Sequence, residues 1–142
     1  MKRVLVVEDE EAIADIMRLV LEARGYRVCC APNGNGAIQA SADIDAPIDL
    51  LFCDLLLPDK SAAEIIQAVR LLHPAVRVVI TTGHTPEYVR ELQLPGPFCV
   101  LHKPFDTQKA VECVTCVEEV QTCGDGITLS TPDERSLRGV FK

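Results

Sequence analysis

A chain of 142 residues has room for one domain with one sizeable core, and 48% hydrophobic with 25% charged residues is the composition of an ordinary soluble globular protein. Lys and Arg number 14 against 21 Asp and Glu, a net charge of -7, which argues against a direct nucleic-acid surface. The longest apolar runs, Val4 to Val7 and Ile48 to Cys53, fall far short of the roughly 18 residues that a spanning helix needs. Only four apolar residues separate Lys2-Arg3 from Glu8, so the start does not read as a secretory signal. A cytoplasmic protein without membrane contact is expected.

The chain alternates short apolar runs with helical stretches. Lys2 to Val7 predicts a first strand. Glu10 to Arg24 places Ile13, Met17, Val20 and Leu21 at helical spacing with Ile16 beside them, and Gly25 stops the helix. Arg27 to Ala31 predicts a second strand closed by Pro32-Asn33-Gly34, and Ala37 to Ala42 a short helix. Ile48 to Cys53 is nearly all apolar, as expected of a strand buried on both faces of a parallel sheet. Ser61 with Glu64 three residues on is a capping box opening a helix to Leu72. Val76 to Thr82 is the fourth strand. Pro86 suits the first turn of a short helix that ends by Pro95-Gly96-Pro97. Phe98 to Leu101 is the fifth strand and Asp106 to about Gln121 the fifth helix.

Five strands alternating with five helices predict an α/β domain over residues 1–121, a doubly wound parallel sheet with helices on both faces. Residues 122–142 change character, with Gly124-Asp125-Gly126 followed by Ser, Thr, Pro and charges, and read as a C-terminal tail with the composition of a disordered segment. The seven cysteines are odd in number and scattered, so reduced thiols are expected. Cys113-Val-Thr-Cys116 has metal-ligand spacing, with Cys123 following. It lies in a helical pattern without a second Cys or His pair, and packing is the reading it favours.

In open parallel sheets ligands bind outside the carboxyl ends of the strands. Glu8 and Asp9 follow the first strand here, Asp54 the third, Thr82 the fourth and Lys103 the fifth. Taken singly, each has an ordinary explanation: Asp9 as a helix cap, Thr82 as a β-former, Lys103 as a surface charge. Their joint placement at matching strand ends is what those explanations leave out. The turn Glu8-Asp9-Glu10-Glu11 would repel a pyrophosphate and attract a cation, unlike the glycine-rich turn of dinucleotide-binding domains. Hard oxygen ligands without His or Cys suit Mg2+ or Mn2+.

Four segments carry a family resemblance: Val4-Leu5-Val6-Val7-Glu8-Asp9-Glu10, Asp49-Leu50-Leu51-Phe52-Cys53-Asp54-Leu55-Leu56-Leu57-Pro58, Ile80-Thr81-Thr82-Gly83-His84 and Leu101-His102-Lys103-Pro104-Phe105. In this order and spacing the chain resembles the receiver domain of two-component response regulators. The resemblance implies a flavodoxin-like strand order 2-1-3-4-5 and a cis Lys103–Pro104 peptide. It further implies Asp54 as phosphoryl acceptor, Glu8, Asp9, Asp54 and the Leu56 carbonyl as ligands of Mg2+ (or Mn2+), Thr82 as the switch hydroxyl, and Lys103 as partner of the acceptor. A histidine kinase or phosphotransfer protein would supply the phosphoryl group, and an unidentified downstream protein would read the switched face. Homodimer formation stays open. Self-catalysed phosphotransfer and autodephosphorylation, rather than turnover as an enzyme, is the implied chemistry.

Two positions depart from the family pattern. Val100 stands where Phe or Tyr is usual, and Ala62 where Gly is usual. The run from Val100 to Phe105 also resembles receivers attached to hybrid kinases. Competing readings are a receiver-like interaction module working without phosphorylation, a receiver excised from a hybrid kinase, an aspartyl-nucleophile phosphatase and a flavodoxin-like cofactor carrier. Leu56, where the phosphatase would need a second acid, disfavours the third of these.

Overall fold

The computed structural model describes residues 2–119. The elements alternate along the chain as β1 (Arg3–Val7), α1 (Glu11–Ala23), β2 (Arg27–Ala31), α2 (Gly34–Asp43), β3 (Leu50–Asp54), α3 (Ala62–Leu72), β4 (Arg77–Thr82), α4 (Pro86–Glu91), β5 (Cys99–His102) and α5 (Thr107–Glu119). All strands are parallel, in the order β2-β1-β3-β4-β5, which is the doubly wound arrangement expected. No helix among the described residues is long and apolar enough to cross a membrane. The predicted tail 122–142 and Cys123 lie outside the described residues.

Strand pleating divides the core in two. Leu5, Val7, Leu51, Cys53, Val78, Ile80 and Val100 pack with Ala37 of α2, Ile65, Ile66 and Val69 of α3 and Val89 of α4. The alternate residues Val4, Val6, Leu50, Phe52, Val79, Cys99 and Leu101 pack with Met17, Val20 and Leu21 of α1 and Ala110, Val114 and Val117 of α5. Both faces of each inner strand are therefore apolar, the pattern that two covering helix layers require. The cysteines follow the same logic: Cys53 and Cys99 are buried core residues, and Cys113 and Cys116 sit half-buried on α5, neither in a disulfide.

Element boundaries differ from the sequence expectation by one residue at the starts of β1, β4 and α5 and at both ends of β5, and more instructively at α2, β3 and α1. Helix α2 begins at Gly34 rather than Ala37, because Asn33 caps it by accepting the Gly36 N–H at 2.7 Å. Strand β3 runs from Leu50 to Asp54 rather than from Ile48 to Cys53. The Ile48 N–H is taken instead by Nδ1 of the buried His73 at 3.1 Å, while Nε2 of that ring reaches the Ser41 carbonyl at 2.9 Å. An N–H on one side and a carbonyl on the other place the ring proton on Nε2. Helix α1 has Glu10, not Asp9, at its N-cap, without a side-chain cap, and Gly25 ends it at a φ of 91°. Elsewhere the signals hold: the Ser61–Glu64 capping box is formed, and Pro86 opens α4.

Long-range polar contacts fasten the helices to the sheet end remote from the carboxyl edge. The Glu118 carboxylate accepts from the Tyr26 hydroxyl at 2.6 Å and from the Arg24 guanidinium at 2.7 Å, which ties the α1–β2 turn to α5. Arg77 caps the end of α5 by donating to the Val117 and Glu118 carbonyls. Burial pushes the Glu118 carboxyl up, but Tyr26 and Arg24 outweigh it and hold it below the usual range. A carboxylate held low adds stability above its ordinary pKa that is lost as the pH falls. Tyr26→Phe is expected to lower unfolding free energy by about 1 kcal/mol, the value of one hydrogen bond, with a larger loss near neutral pH than in acid. Urea denaturation at both pH values reads this directly.

Candidate functional site

The carboxyl ends of β1, β3, β4 and β5 bring the predicted residues to one edge. Glu8 directly follows β1, with its backbone held by the Ala31 carbonyl at 3.0 Å, and its side chain is buried. Asp54 is the last residue of β3 and is also buried, at 7% exposure. Asp9 is exposed beside them. One oxygen from each of the three lies within 4.8 Å of the others, and among the described residues this is the group of acids that could hold a metal ion.

Lys103 follows β5 and crosses to the acids. Its Nζ lies 3.2 Å from Asp54 Oδ2, 3.1 Å from Glu8 Oε1 and 3.9 Å from Glu10 Oε1. The Lys103–Pro104 peptide is cis, as expected. Asp54 Oδ1 accepts the Leu56 N–H at 3.3 Å, so both acceptor oxygens have a partner. The Leu56 side chain is 53% exposed at the rim. Thr82 is buried, and its Oγ1 accepts the His84 N–H at 2.9 Å. The His84 ring stacks on Tyr88 of α4 with centroids 4.3 Å apart.

The charges are unequal. Burial, then the neighbouring Asp54, pushes the Glu8 carboxyl up to about 7, against the opposing pull of Lys103 and the Glu10 N–H. Burial alone would lower the Lys103 ammonium, but Asp54 and Glu8 raise it overall. One ammonium thus faces three carboxylates in a partly buried setting. Such a cluster is stabilised by protonation or by a divalent cation. Its all-oxygen donors fit Mg2+ or Mn2+.

Sequence reasoning named Glu8, Asp9, Asp54, Leu56, Thr82 and Lys103, and the fold brings all six together. It missed the Glu10 contributions, an N–H to Glu8 Oε2 at 3.2 Å and a carboxylate near Lys103. The sequence places Glu10 in the cation-attracting run of four acids without giving it a contact of its own. It also missed Asp59, which lies in the β3–α3 turn and reaches across to α2.

The raised Glu8 carboxyl sets a pH dependence. A carboxyl whose folded pKa lies above its unfolded value stabilises the fold at low pH and loses that contribution as the pH rises through the folded value. The metal-free protein is therefore expected to lose stability between about pH 4.5 and about pH 7. Melting temperatures in EDTA across that window check this, and Glu8→Gln is expected to flatten the fall.

A family model for the response regulator receiver domain matches residues 4–115. The chemotaxis response regulator CheY4 of Vibrio cholerae superposes with a TM-score of 0.73 at 25% identity, covering 82% of this chain and 98% of that one. A response regulator from Burkholderia pseudomallei, solved with a phosphorylated aspartic acid, calcium ion and citrate, gives 0.69 at 27% identity, covering 86% of this chain and 68% of that one. The sensor kinase CckA of Brucella abortus is 27% identical over 119 residues, 83% of this chain, and the chain spans only 13% of that relative's length. With the strand order, the carboxyl-edge residues and a family match over most of its length, the chain belongs to the receiver-domain family of two-component response regulators.

Proposed function

We propose that Asp54 accepts a phosphoryl group from a phosphohistidine on a histidine kinase or phosphotransfer protein, and that the resulting aspartyl phosphate switches a protein-binding face. The observation that carries this reading is the Lys103 ammonium lying 3.2 Å from the acceptor carboxylate, inside a cluster of acids at the carboxyl edge. The phosphorylated aspartic acid of the Burkholderia pseudomallei relative supports it.

In the transfer, an Asp54 oxygen forms the new O–P bond as the N–P bond to the donor imidazole breaks, and the imidazole nitrogen keeps the electron pair and takes a proton. Lys103 has two tasks. It holds Asp54 in place beforehand, and it offsets charge on the transferred oxygens, so catalysis is mostly positioning and electrostatics. Glu8, Asp9, Asp54 and the Leu56 carbonyl would hold Mg2+ or Mn2+, which when bound neutralises the crowded carboxylates and the phosphoryl oxygens. The product adds up to about two negative charges to the edge. Thr82 turns its hydroxyl toward that charge and gives up its bond to the His84 N–H, which releases the loop leading into α4. The chain then acts as a cytoplasmic signalling module rather than a turnover enzyme, with an unidentified protein downstream.

Val100 shapes how the signal leaves. Its side chain is short, branched and buried at 3% exposure, so it cannot swing as an aromatic would. Helix α4 spans six residues with Val89 buried, and its cap is the Thr85 hydroxyl accepting the Tyr88 N–H at 3.1 Å. An element held by so few interactions rearranges at low cost.

Labelling with a small phosphodonor and Mg2+ is expected to modify Asp54 alone and to disappear in Asp54→Asn or in EDTA. Mass spectrometry locating the phosphoryl group elsewhere, or labelling unchanged by EDTA, would reject the reading. A beryllofluoride mimic is expected to change hydrogen exchange mainly over residues 83–97. A main change at 98–101, with 83–97 unaltered, would place the coupling in β5 instead.

A further inference from the structure

The turn that carries Leu56 is fastened from outside the acid cluster. Its base is closed by an isolated antiparallel bridge between Leu56 and Ser61. Its tip is fixed by Asp59, whose Oδ1 accepts the Gly34 N–H at 2.8 Å and whose Oδ2 accepts the Asn35 N–H at 2.8 Å. These are the first two amides of α2, donors that the helix itself leaves without partners. The approach is close. A Cβ built on Gly34 would lie 2.5 Å from Lys60 Cβ and 3.2 Å from Asp59 Oδ1, so a side chain at 34 would push the turn away. The two amides hold the Asp59 carboxyl below the usual range, which keeps the clasp ionised.

This clasp leads back to Leu56 in three residues and to Asp54 in five. Leu56 offers its N–H to Asp54 Oδ1 at 3.3 Å, and its carbonyl belongs to the metal-ligand set of the proposed function. Both groups sit on a backbone whose only freedom is that of a six-residue turn, bridged at its base and clamped at its tip.

We propose that Asp59 is a positioning residue for the divalent cation: by clasping the first amides of α2 it holds the backbone on both sides of Leu56 so that the Leu56 carbonyl faces the metal and the Leu56 N–H faces Asp54. The inference rests on the reading of Glu8, Asp9, Asp54 and Leu56 as the metal site. Coupling between two sites is reciprocal. Cation binding therefore tightens the clasp, and the start of α2 reports whether the site is filled, on the opposite side of the turn from Thr82 and α4.

The test titrates Mn2+ alone into the full chain, counting free ion by electron paramagnetic resonance, for the parent, Asp59→Ala, Asp59→Asn and Gly34→Ala. Asp59→Ala is expected to weaken binding about tenfold, the low end of what removal of an outer-shell partner produces. Asp59→Asn keeps one acceptor oxygen and falls between, and Gly34→Ala weakens binding by displacing Lys60. Melting in EDTA establishes that each variant is folded. In the parent, added Mg2+ slows amide exchange at Gly34 and Asn35, and in folded Asp59→Ala it does not. A parent that binds Mn2+ and a folded Asp59→Ala that binds it within about twofold would overturn the proposal and leave Asp59 a helix cap, since outer-shell effects are larger than that. A parent that binds no Mn2+ at millimolar concentration overturns the metal reading, and the inference with it.

Discussion

One ammonium among buried carboxylates organises this domain. Lys103 reaches Glu8 and Asp54 at 3.1 and 3.2 Å from the opposite end of the described chain, and it ties the end of β5 to the ends of β1 and β3. The pairs are worth less to stability than their distances suggest, because removing charges from water offsets most of the attraction. Their value lies elsewhere. With one positive charge against three acids the edge is left electrostatically incomplete, and what completes it is a cation or a proton. The fold therefore keeps in reserve an interaction that ligand binding supplies.

The two helix layers divide the labour around that edge. Helices α1 and α5 share the core cluster under one face, and the Tyr26, Arg24 and Arg77 contacts fasten them at the end away from the site. Helices α2, α3 and α4 cover the other face, and the β3–α3 turn, which touches Asp54 through the Leu56 N–H, leads into α3 on that side, as the β4–α4 loop leads into α4. The two layers are separated by a sheet whose inner strands are buried on both faces. Rearrangement in one layer does not demand repacking of the other.

Much of this was legible in the sequence, for a physical reason. Strand ends are local events, so the acids after Val7 and Cys53, the hydroxyl at Thr82 and the lysine after His102 could be placed at one edge by counting apolar runs. Caps are local too, and Ser61 with Glu64 announced α3. The parts that escaped depend on residues far apart. Tyr26 finds Glu118 across 92 positions, His73 finds Ile48 across 25, and Asp59 finds Gly34 across 25. The start of α2 escaped because Pro32-Asn33-Gly34 is a turn signal in isolation, whereas in the fold Asn33 caps the helix and Asp59 takes its first two amides. Val100 was legible as a departure, though its burial against Ile80 in the β4–β5 ladder was not.

Arg70 adds a mechanical boundary on the side of α2, α3 and α4. From α3 its guanidinium donates to three successive carbonyls, Pro95 at 2.8 Å, Gly96 at 3.0 Å and Pro97. A planar fork of fixed donors suits such a row of acceptors, and it anchors the chain between α4 and β5 to a helix whose inner face is fully buried. The segment from Thr82 to Pro97 is thus attached at both ends but by different means, the Thr82 hydroxyl on the His84 N–H and the Thr82 carbonyl on the Lys103 N–H at the Asp54 end, and a three-point guanidinium grip at the far end. A segment held this way pivots about its stronger attachment. In the switch proposed above, displacement of the loop at His84 would become a swing of α4 about Pro95, with the largest excursion nearest Asp54 and the least where the chain re-enters the sheet.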